Sequence, residues 1–196
     1  MGNVLIGCEC SDVLASRFRL AGHNAWSCDL KPNEVDQKYH YQGDVVSAVT
    51  AQYWDLIILH PDCTAMAVSG NRWYGRGMPK NKERLDSEEW TEDLWHMAID
   101  ACDRVALENP VSTIFTRLKG ACDSVCYVQP WEHGHGETKK TGFALHNLPP
   151  LVPSDIVEGR EQRIWKMPPG PNRKADRSRT FTGIADAIVD QWGRLL

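Results

Sequence analysis

The stretch Trp54-Asp55-Leu56-Ile57-Ile58-Leu59-His60-Pro61-Asp62-Cys63-Thr64 decides how the rest of the chain reads. Leu56 to Leu59 is a continuous apolar run with β-branched members, of strand length and followed by a proline. That is the pattern of a parallel strand buried on both faces. Such a strand ends in a polar loop at the carboxyl edge of its sheet, where open α/β folds bind their ligands. The loop here carries Cys63, which is either a reactive thiol or a packed one, since free cysteine is among the most buried residue types.

Upstream, Asn3 to Gly7 is another short apolar strand, followed by the polar loop Cys8-Glu9-Cys10-Ser11. An amphipathic helix comes next, with Val13, Leu14, Phe18 and Leu20 on one face, a cap at Ser11 or Asp12, and an end at Gly22. Ala25 to Cys28 reads as a strand closed by Asp29. An acid at that place holds the ribose of a nucleoside cofactor in sheets of this class, and it serves equally as a strand-end turn residue. The loop has one glycine, Gly7, and lacks a G-x-G-x-x-G fingerprint, which argues against a pyrophosphate cradle. Gly43-Asp44 then introduces a short segment, Val45 to Ala51.

Downstream, residues 66–84 read as a long loop without secondary structure, in which Arg72, Arg76, Lys80, Lys82 and Arg84 face one acid, Glu83. A loop of that length is either a lid over an anionic substrate or a solvated surface. A helix is expected from Asp86 to about Cys102, on Trp90, Leu94, Met97, Ala98 and Ala101 at helical spacing. Val105 to Leu107 reads as a strand that stops at Glu108-Asn109-Pro110. Val111 to Leu118 reads as a helix, and Ser124 to Val128 and Thr141 to His146 as strands. Residues 147–176 are proline-rich and basic, an irregular crossing rather than a second domain. A final helix over Thr182 to Leu195 is built on Ile184, Ala187, Ile188 and Trp192. The alternation predicts a single domain over residues 1–196, a three-layer α/β fold with a mostly parallel sheet.

Composition narrows the function classes. A formal net charge of -4 leaves no room for a generally basic protein, so any nucleic-acid surface must be local. Seven cysteines at irregular spacing do not make a closed disulfide framework. With no secretory segment after Met1 and no membrane-spanning run, they point to a reducing, cytoplasmic setting. Cys122, Cys126, His133 and His135 have the residue types of a zinc site. The cysteines flank a strand, however, and the His-Gly-His run has a turn role of its own, so no metal is expected.

Pro61-Asp62-Cys63-Thr64, Ser69-Gly70 and Glu108-Asn109-Pro110, in that order and spacing, resemble the cytosine-C5 DNA methyltransferases, in particular compact, phage-type members. The likeness is collinear over nearly the whole chain. It implies a Rossmann-like fold dependent on S-adenosylmethionine, with Gly7, Cys8, Glu9, Cys10 and Ser11 as the first cofactor loop. It further implies Asp29 as the ribose acid, Asp44 on the adenine side, and Pro61 and Gly183 bordering the cofactor. Cys63 takes the place of the nucleophile, Glu108 that of the residue facing N3 of the base, and Asn109 that of a residue positioning the loop. Lys139-Lys140-Thr141 stands where the family has Arg-x-Arg.

The chain departs from the family pattern at Cys8-Glu9-Cys10, where a Phe-x-Gly-x-Gly run is usual, and has Pro-Asp-Cys for Pro-Pro-Cys and Glu-Asn-Pro for Glu-Asn-Val. Between Leu151 and Arg177 there is too little chain for the usual target-recognition domain.

The implied chemistry needs these residue types together. C5 of cytosine is a poor nucleophile, and addition of a thiolate at C6 converts the ring to an enamine that attacks a methyl donor. Glu108 would hydrogen-bond or protonate N3, offsetting the charge that develops. For a base in DNA, Ser69, Arg72, Trp73, Tyr74 and Arg76 offer charge interleaved with aromatics, with Lys139, Lys140, Arg177 and Arg179 as phosphate contacts. The same aromatics would also simply anchor a loop. The expected partner is DNA or a free cytosine nucleotide in a bacterial or phage-infected cell, with no membrane and no obligate protein partner. A catalytically silent nucleic-acid-binding homologue is the remaining class.

Overall fold

The apolar runs Val4 to Ile6 and Leu56 to Leu59 lie side by side, wholly buried, in the middle of a seven-stranded sheet. The computed structural model describes residues 1–196. In chain order its elements are β1 (Asn3–Gly7), α1 (Val13–Leu20), β2 (Asn24–Asp29), β3 (His40–Gln42), α2 (Val45–Thr50), β4 (Leu56–Leu59), α3 (Asn71–Tyr74) and α4 (Asn81–Ala101). They continue with β5 (Val105–Pro110), α5 (Ile114–Arg117), β6 (Ser124–Val128), β7 (Thr141–His146), α6 (Arg163–Lys166), α7 (Arg173–Ser178) and α8 (Thr182–Trp192).

The strand order is β3-β2-β1-β4-β5-β7-β6. The first five strands are parallel, and β7 runs antiparallel to both β5 and β6. The order reverses between β1 and β4, which places a crevice at their carboxyl ends.

Strand residues alternate sides, so each strand feeds two cores. Leu5, Ile57, Leu59 and Leu107 meet α2, α4 and α5 through Val49, Trp95 and Phe115. Val4, Ile6, Ile58 and Phe143 meet α1 and α8 through Phe18, Ile188 and Trp192. Each fully buried Leu or Ile contributes about 1.5–3 kcal/mol, so the middle of the sheet is its best-held part. The indoles that enter these cores are satisfied: Trp95 donates to Ala121 O at 3.0 Å and Trp192 to Pro149 O at 2.9 Å.

The structure corrects the sequence reading in several places. Residues 66–84 are not a featureless loop: a 3-10 turn at Val68–Gly70 leads into α3, and α4 starts at Asn81, five residues before Asp86. The organiser is Arg84, 6% exposed, which donates to Ala65 O and Asn71 Oδ1, each at 2.7 Å, and to Ala67 O at 3.3 Å. The buried side of α4 therefore begins with Arg84, Glu88 and Thr91, a polar stripe that apolar periodicity does not detect, while Trp90 is 43% exposed. Similarly, Leu20 points to solvent rather than into the α1 face.

β5 does not stop at Glu108. It runs through Pro110 because β7 supplies an antiparallel partner, pairing Glu108 with Phe143 and Asn109 with Gly142. The crossing over residues 147–176 is irregular except for the short helix α6 and the start of α7.

Candidate active site

β4 and β5 are adjacent and parallel, with Leu59 beside Leu107. Continuing that register sets His60 beside Glu108 and Pro61 beside Asn109, just where the strands reach the carboxyl edge. His60 Nδ1 lies 3.3 Å from Glu108 Oε2, with side chains 12% and 17% exposed. Asn109, 1% exposed, donates its Nδ2 to Pro61 O at 3.2 Å and so ties the Cys63 loop to β5. Beyond Pro61, Asp62 Oδ1 accepts from the amide and hydroxyl of Thr64, an Asx turn that presents Cys63.

The Cys63 thiol is pushed up from its ordinary value, first by burial, then by Glu108 and Asp62, while Lys139 works in the opposite direction. Lys139 is the reciprocal case. Burial lowers its ammonium, Glu108 and Cys63 raise it, and Arg177 lowers it further. Cys63, Glu108, Lys139 and Arg177 thus share one electrostatic cluster. Lys140, next in sequence, turns away and sits 4.5 Å over the Tyr127 ring.

The first loop behaves differently from the reading above. Glu9, expected at a cofactor, is 6% exposed and turned back onto α1. Its carboxylate accepts from the amides of Leu14 (2.9 Å) and Ala15 (3.2 Å) and from Ser11 Oγ (3.1 Å). The cap of α1 is therefore Glu9, with Ser11 as its support, because Asp12 makes no side-chain cap bond and pairs with Arg19 at 2.5 Å. Cys8 and Asp12 hold left-handed backbone at φ 61° and 59°, a conformation that costs non-glycine residues roughly 1–2 kcal/mol. Gly7 is needed for packing: a Cβ there would lie 2.7 Å from Val45 and 2.8 Å from Leu59.

Asp29 and Asp44 stand at the same edge. One oxygen of each is engaged locally, Asp29 Oδ1 with the Lys31 amide and Asp44 Oδ1 with the Val46 amide, each within 3.0 Å. The Cys8 thiol between them is pushed up to about 12, first by burial, then by Asp29, Cys28, Asp44 and Asp62. Asp29 and Asp44 each keep one carboxylate oxygen free of protein partners at this crevice. Cys10 lies at the rim and binds the Glu34 amide through its carbonyl at 2.8 Å.

Around this edge runs a basic rim. Residues 160–179 hold seven Arg and Lys against two acids in a chain whose net charge is -4. Lys174 pairs with Asp62 at 2.8 Å and Arg179 with Glu34 at 2.6 Å, while Lys139 Nζ donates to Ser178 O (3.3 Å) and Arg179 O (3.1 Å). The α7 segment therefore spans from the Cys63 loop to the loop after β2. Burial works to raise the Asp62 carboxyl, but Lys174 and Thr64 outweigh it and hold it below the ordinary value.

On the other side, Arg72 stacks 5.0 Å over Trp73, which is 50% exposed, and Lys80 sits 5.5 Å over Tyr74. Arg76 and Ser69 are exposed. The contact of His60 with Glu108 and the place of Lys174 were missed from sequence. His60 follows directly on the β4 run, and only the pairing of strands β4 and β5 distinguishes it from a turn residue.

Gly183, His133 and His135 take part in close packing around the start of α8. A Cβ on Gly183 would lie 1.7 Å from His133 O, and the Gly183 amide donates to His135 Nε2 at 3.1 Å, so close packing of α8 accounts for this glycine. His133 bonds Ser154 Oγ at 2.9 Å, and His135 also bonds Thr182. No group of three or more His, Cys, Asp or Glu converges on one point. His60 does not reach Cys63: its Nδ1 faces Glu108 and its buried Nε2 has no hydrogen-bond partner.

No family model matches the chain, and no curated protein matches it in sequence. Among solved structures it is similar to the methyltransferase EhMeth of Entamoeba histolytica, at TM-score 0.53 and 11% identity over 82% of this chain and 57% of that one. A candidate DNA modification methyltransferase encoded in an E. coli prophage gives TM-score 0.49 and 13% identity over 85% and 55%. The S. pombe Dnmt2 methyltransferase gives 0.48 and 11% over 99% and 66%. The chain thus spans between 55% and 66% of the length of these proteins. At such identities the likeness is one of fold alone: a Rossmann-like, mostly parallel sheet flanked by helices, as in the methyltransferase EhMeth.

Proposed function

We propose that the protein is a methyltransferase acting on C5 of cytosine in DNA through a covalent adduct at Cys63. The observation that carries this reading is the placement of Cys63 and Glu108 at adjacent strand ends, beside a crevice lined by carboxylates. The nucleoside of S-adenosylmethionine offers hydroxyl and amino donors, which fit the carboxylates of Asp29 and Asp44 better than a phosphate would. Asp29 and Asp44, each with one oxygen free of protein partners, would hold the nucleoside, and the Cys8 and Cys10 backbone would hold the amino-acid end. Bound there, the cofactor supplies an electrophilic methyl group.

The chain's own groups do the rest. Cys63 must lose its proton to react, and Lys139 is the cation that favours the thiolate. Addition forms a bond from sulfur to C6 of the base as a protonated Glu108 donates its proton to N3. After C5 gains its methyl group, solvent water takes the C5 proton, the C6–sulfur bond breaks to release the Cys63 thiolate, and N3 returns its proton to Glu108. Asn109 keeps the loop in register by holding Pro61 O. The local positive charge of residues 160–179, with Arg72 and Trp73 opposite, supports a polyanionic substrate over a free nucleotide.

Labelled S-adenosylmethionine incubated with duplex DNA, single-stranded DNA, dCMP or dCTP tests the reading. Transfer to DNA that is abolished in Cys63→Ala and reduced about 10²-fold or more in Glu108→Gln is expected. Transfer to dCMP or dCTP alone would move the substrate to the free nucleotide. Full activity in Cys63→Ala would reject the covalent route.

A further inference from the structure

We propose that His60 is the positioning residue of Glu108, its Nδ1–H donating to Oε2 so that the other carboxylate oxygen is aimed at the substrate ring. The inference deepens the methyl-transfer reading and rests on it. Three observations support it together. The His60 amide donates to Gly7 O at 2.9 Å, which extends the β1–β4 pairing one residue past the strand and fixes the His60 backbone. Glu108 is likewise fixed, paired with Phe143 in the β5–β7 ladder. Both side chains are largely shielded, and the contact between them joins residues 48 apart in sequence.

The state of the ring follows from its second nitrogen. His60 Nε2 is buried and has no partner. A buried orphan acceptor is better tolerated than a buried orphan N–H, so the ring carries its proton on Nδ1 and presents it to Glu108. The terminal torsion of a glutamate is broad and roughly two-fold, and a donor on one oxygen removes that freedom before substrate arrives. Lys139 sits near the same carboxylate but is held by the carbonyls of Ser178 and Arg179, so it contributes charge rather than orientation.

The test compares His60→Asn, His60→Gln and His60→Ala on whichever substrate the wild type methylates. The Asn amide nitrogen overlays Nδ1 of the imidazole, and the Gln amide nitrogen overlays Nε2. His60→Asn is expected within about threefold of wild-type kcat, and His60→Gln and His60→Ala about 10²-fold down, with KM for S-adenosylmethionine unchanged. Space filling would rank Gln at or above Asn, and that order overturns the proposal. The ¹⁵N shifts of the His60 ring give a readout without activity. An Nδ1-protonated ring in the wild type that loses this preference in Glu108→Ala supports the link, and an Nε2-protonated wild-type ring rejects it. A wild type that transfers no methyl group to any substrate would sink the parent reading instead, leaving the nitrogen shifts to decide the pair.

Discussion

The strand-end loops and the crossing segment that spans them are held by different forces. At the strand ends, Glu9, His60, Asn109 and Glu108 are locked by buried hydrogen bonds and by sheet ladders. The crossing segment is attached by ion pairs, Lys174 with Asp62 and Arg179 with Glu34, whose side chains are 37–73% exposed. Buried bonds to charged groups contribute roughly 1.5–3 kcal/mol each, and exposed pairs about 0–1 kcal/mol. The molecule therefore combines a rigid reactive edge with a loosely attached basic cover, and phosphates can compete for the cover's cations without disturbing the edge.

The comparison would break first at Glu9. Removing its carboxylate leaves the Leu14 and Ala15 amides at the start of α1 unpaired, so Glu9→Ala should cost about 2–3 kcal/mol by urea denaturation. A loss within error would place the first loop with the loosely held regions. Next in size is Asn109→Ala, expected to cost about 1–2 kcal/mol and to speed alkylation of Cys63 by releasing Pro61. Unchanged alkylation would show that the loop does not depend on that bond.

Electrostatics at the edge are tested by pH. Cys28, like Cys8, is pushed up to about 12 from 9.0, by burial first and then by Asp29 and Asp44. Between pH 9 and 12 the unfolded chain sheds these protons while the folded chain keeps them. The unfolded state then binds fewer protons, and stability falls as pH rises. Cys28→Ala should flatten the fall, and an equally steep curve would remove the assignment. Cys63 follows the same sign. Since Glu108 raises its thiol more than Asp62 does, Glu108→Gln should increase the iodoacetamide rate at pH 8 several-fold, Asp62→Asn less, and Lys139→Met should decrease it. The smallest effect belongs to the cover. Lys174→Ala and Arg179→Ala should each shift stability by less than about 1 kcal/mol, and by nothing measurable in 1 M salt. A larger shift would mean that the segment is part of the rigid edge.

Much of this molecule could be read locally. Apolar runs such as Val4 to Ile6, Leu56 to Leu59 and Val105 to Leu107 declare buried parallel strands by themselves, and the acid or thiol following each run marks the carboxyl edge. Cys63, Glu108 and Asp29 were legible for that reason, whereas Asp44 entered only through the family resemblance. The closing helix was legible too, through the spacing of Ile184, Ile188 and Trp192. Where polar residues carry the packing, local pattern failed. Arg84 organises residues that looked like a free loop, and the run of β5 past Glu108 depends on β7, more than thirty residues further on.

The sequence alone therefore determined the order of the core strands and of the two longest helices, and that Cys63 and Glu108 follow strand ends, because strand and helix periods are properties of neighbouring residues. Only the tertiary structure decided which way those side chains turn. It put Glu9 onto α1, His60 onto Glu108, Lys139 onto the carbonyls of Ser178 and Arg179, and Lys140 toward Tyr127. The physical reason is that a polar side chain takes the partner that burial places within about 3 Å of it, and those partners come from parts of the chain that no local pattern connects.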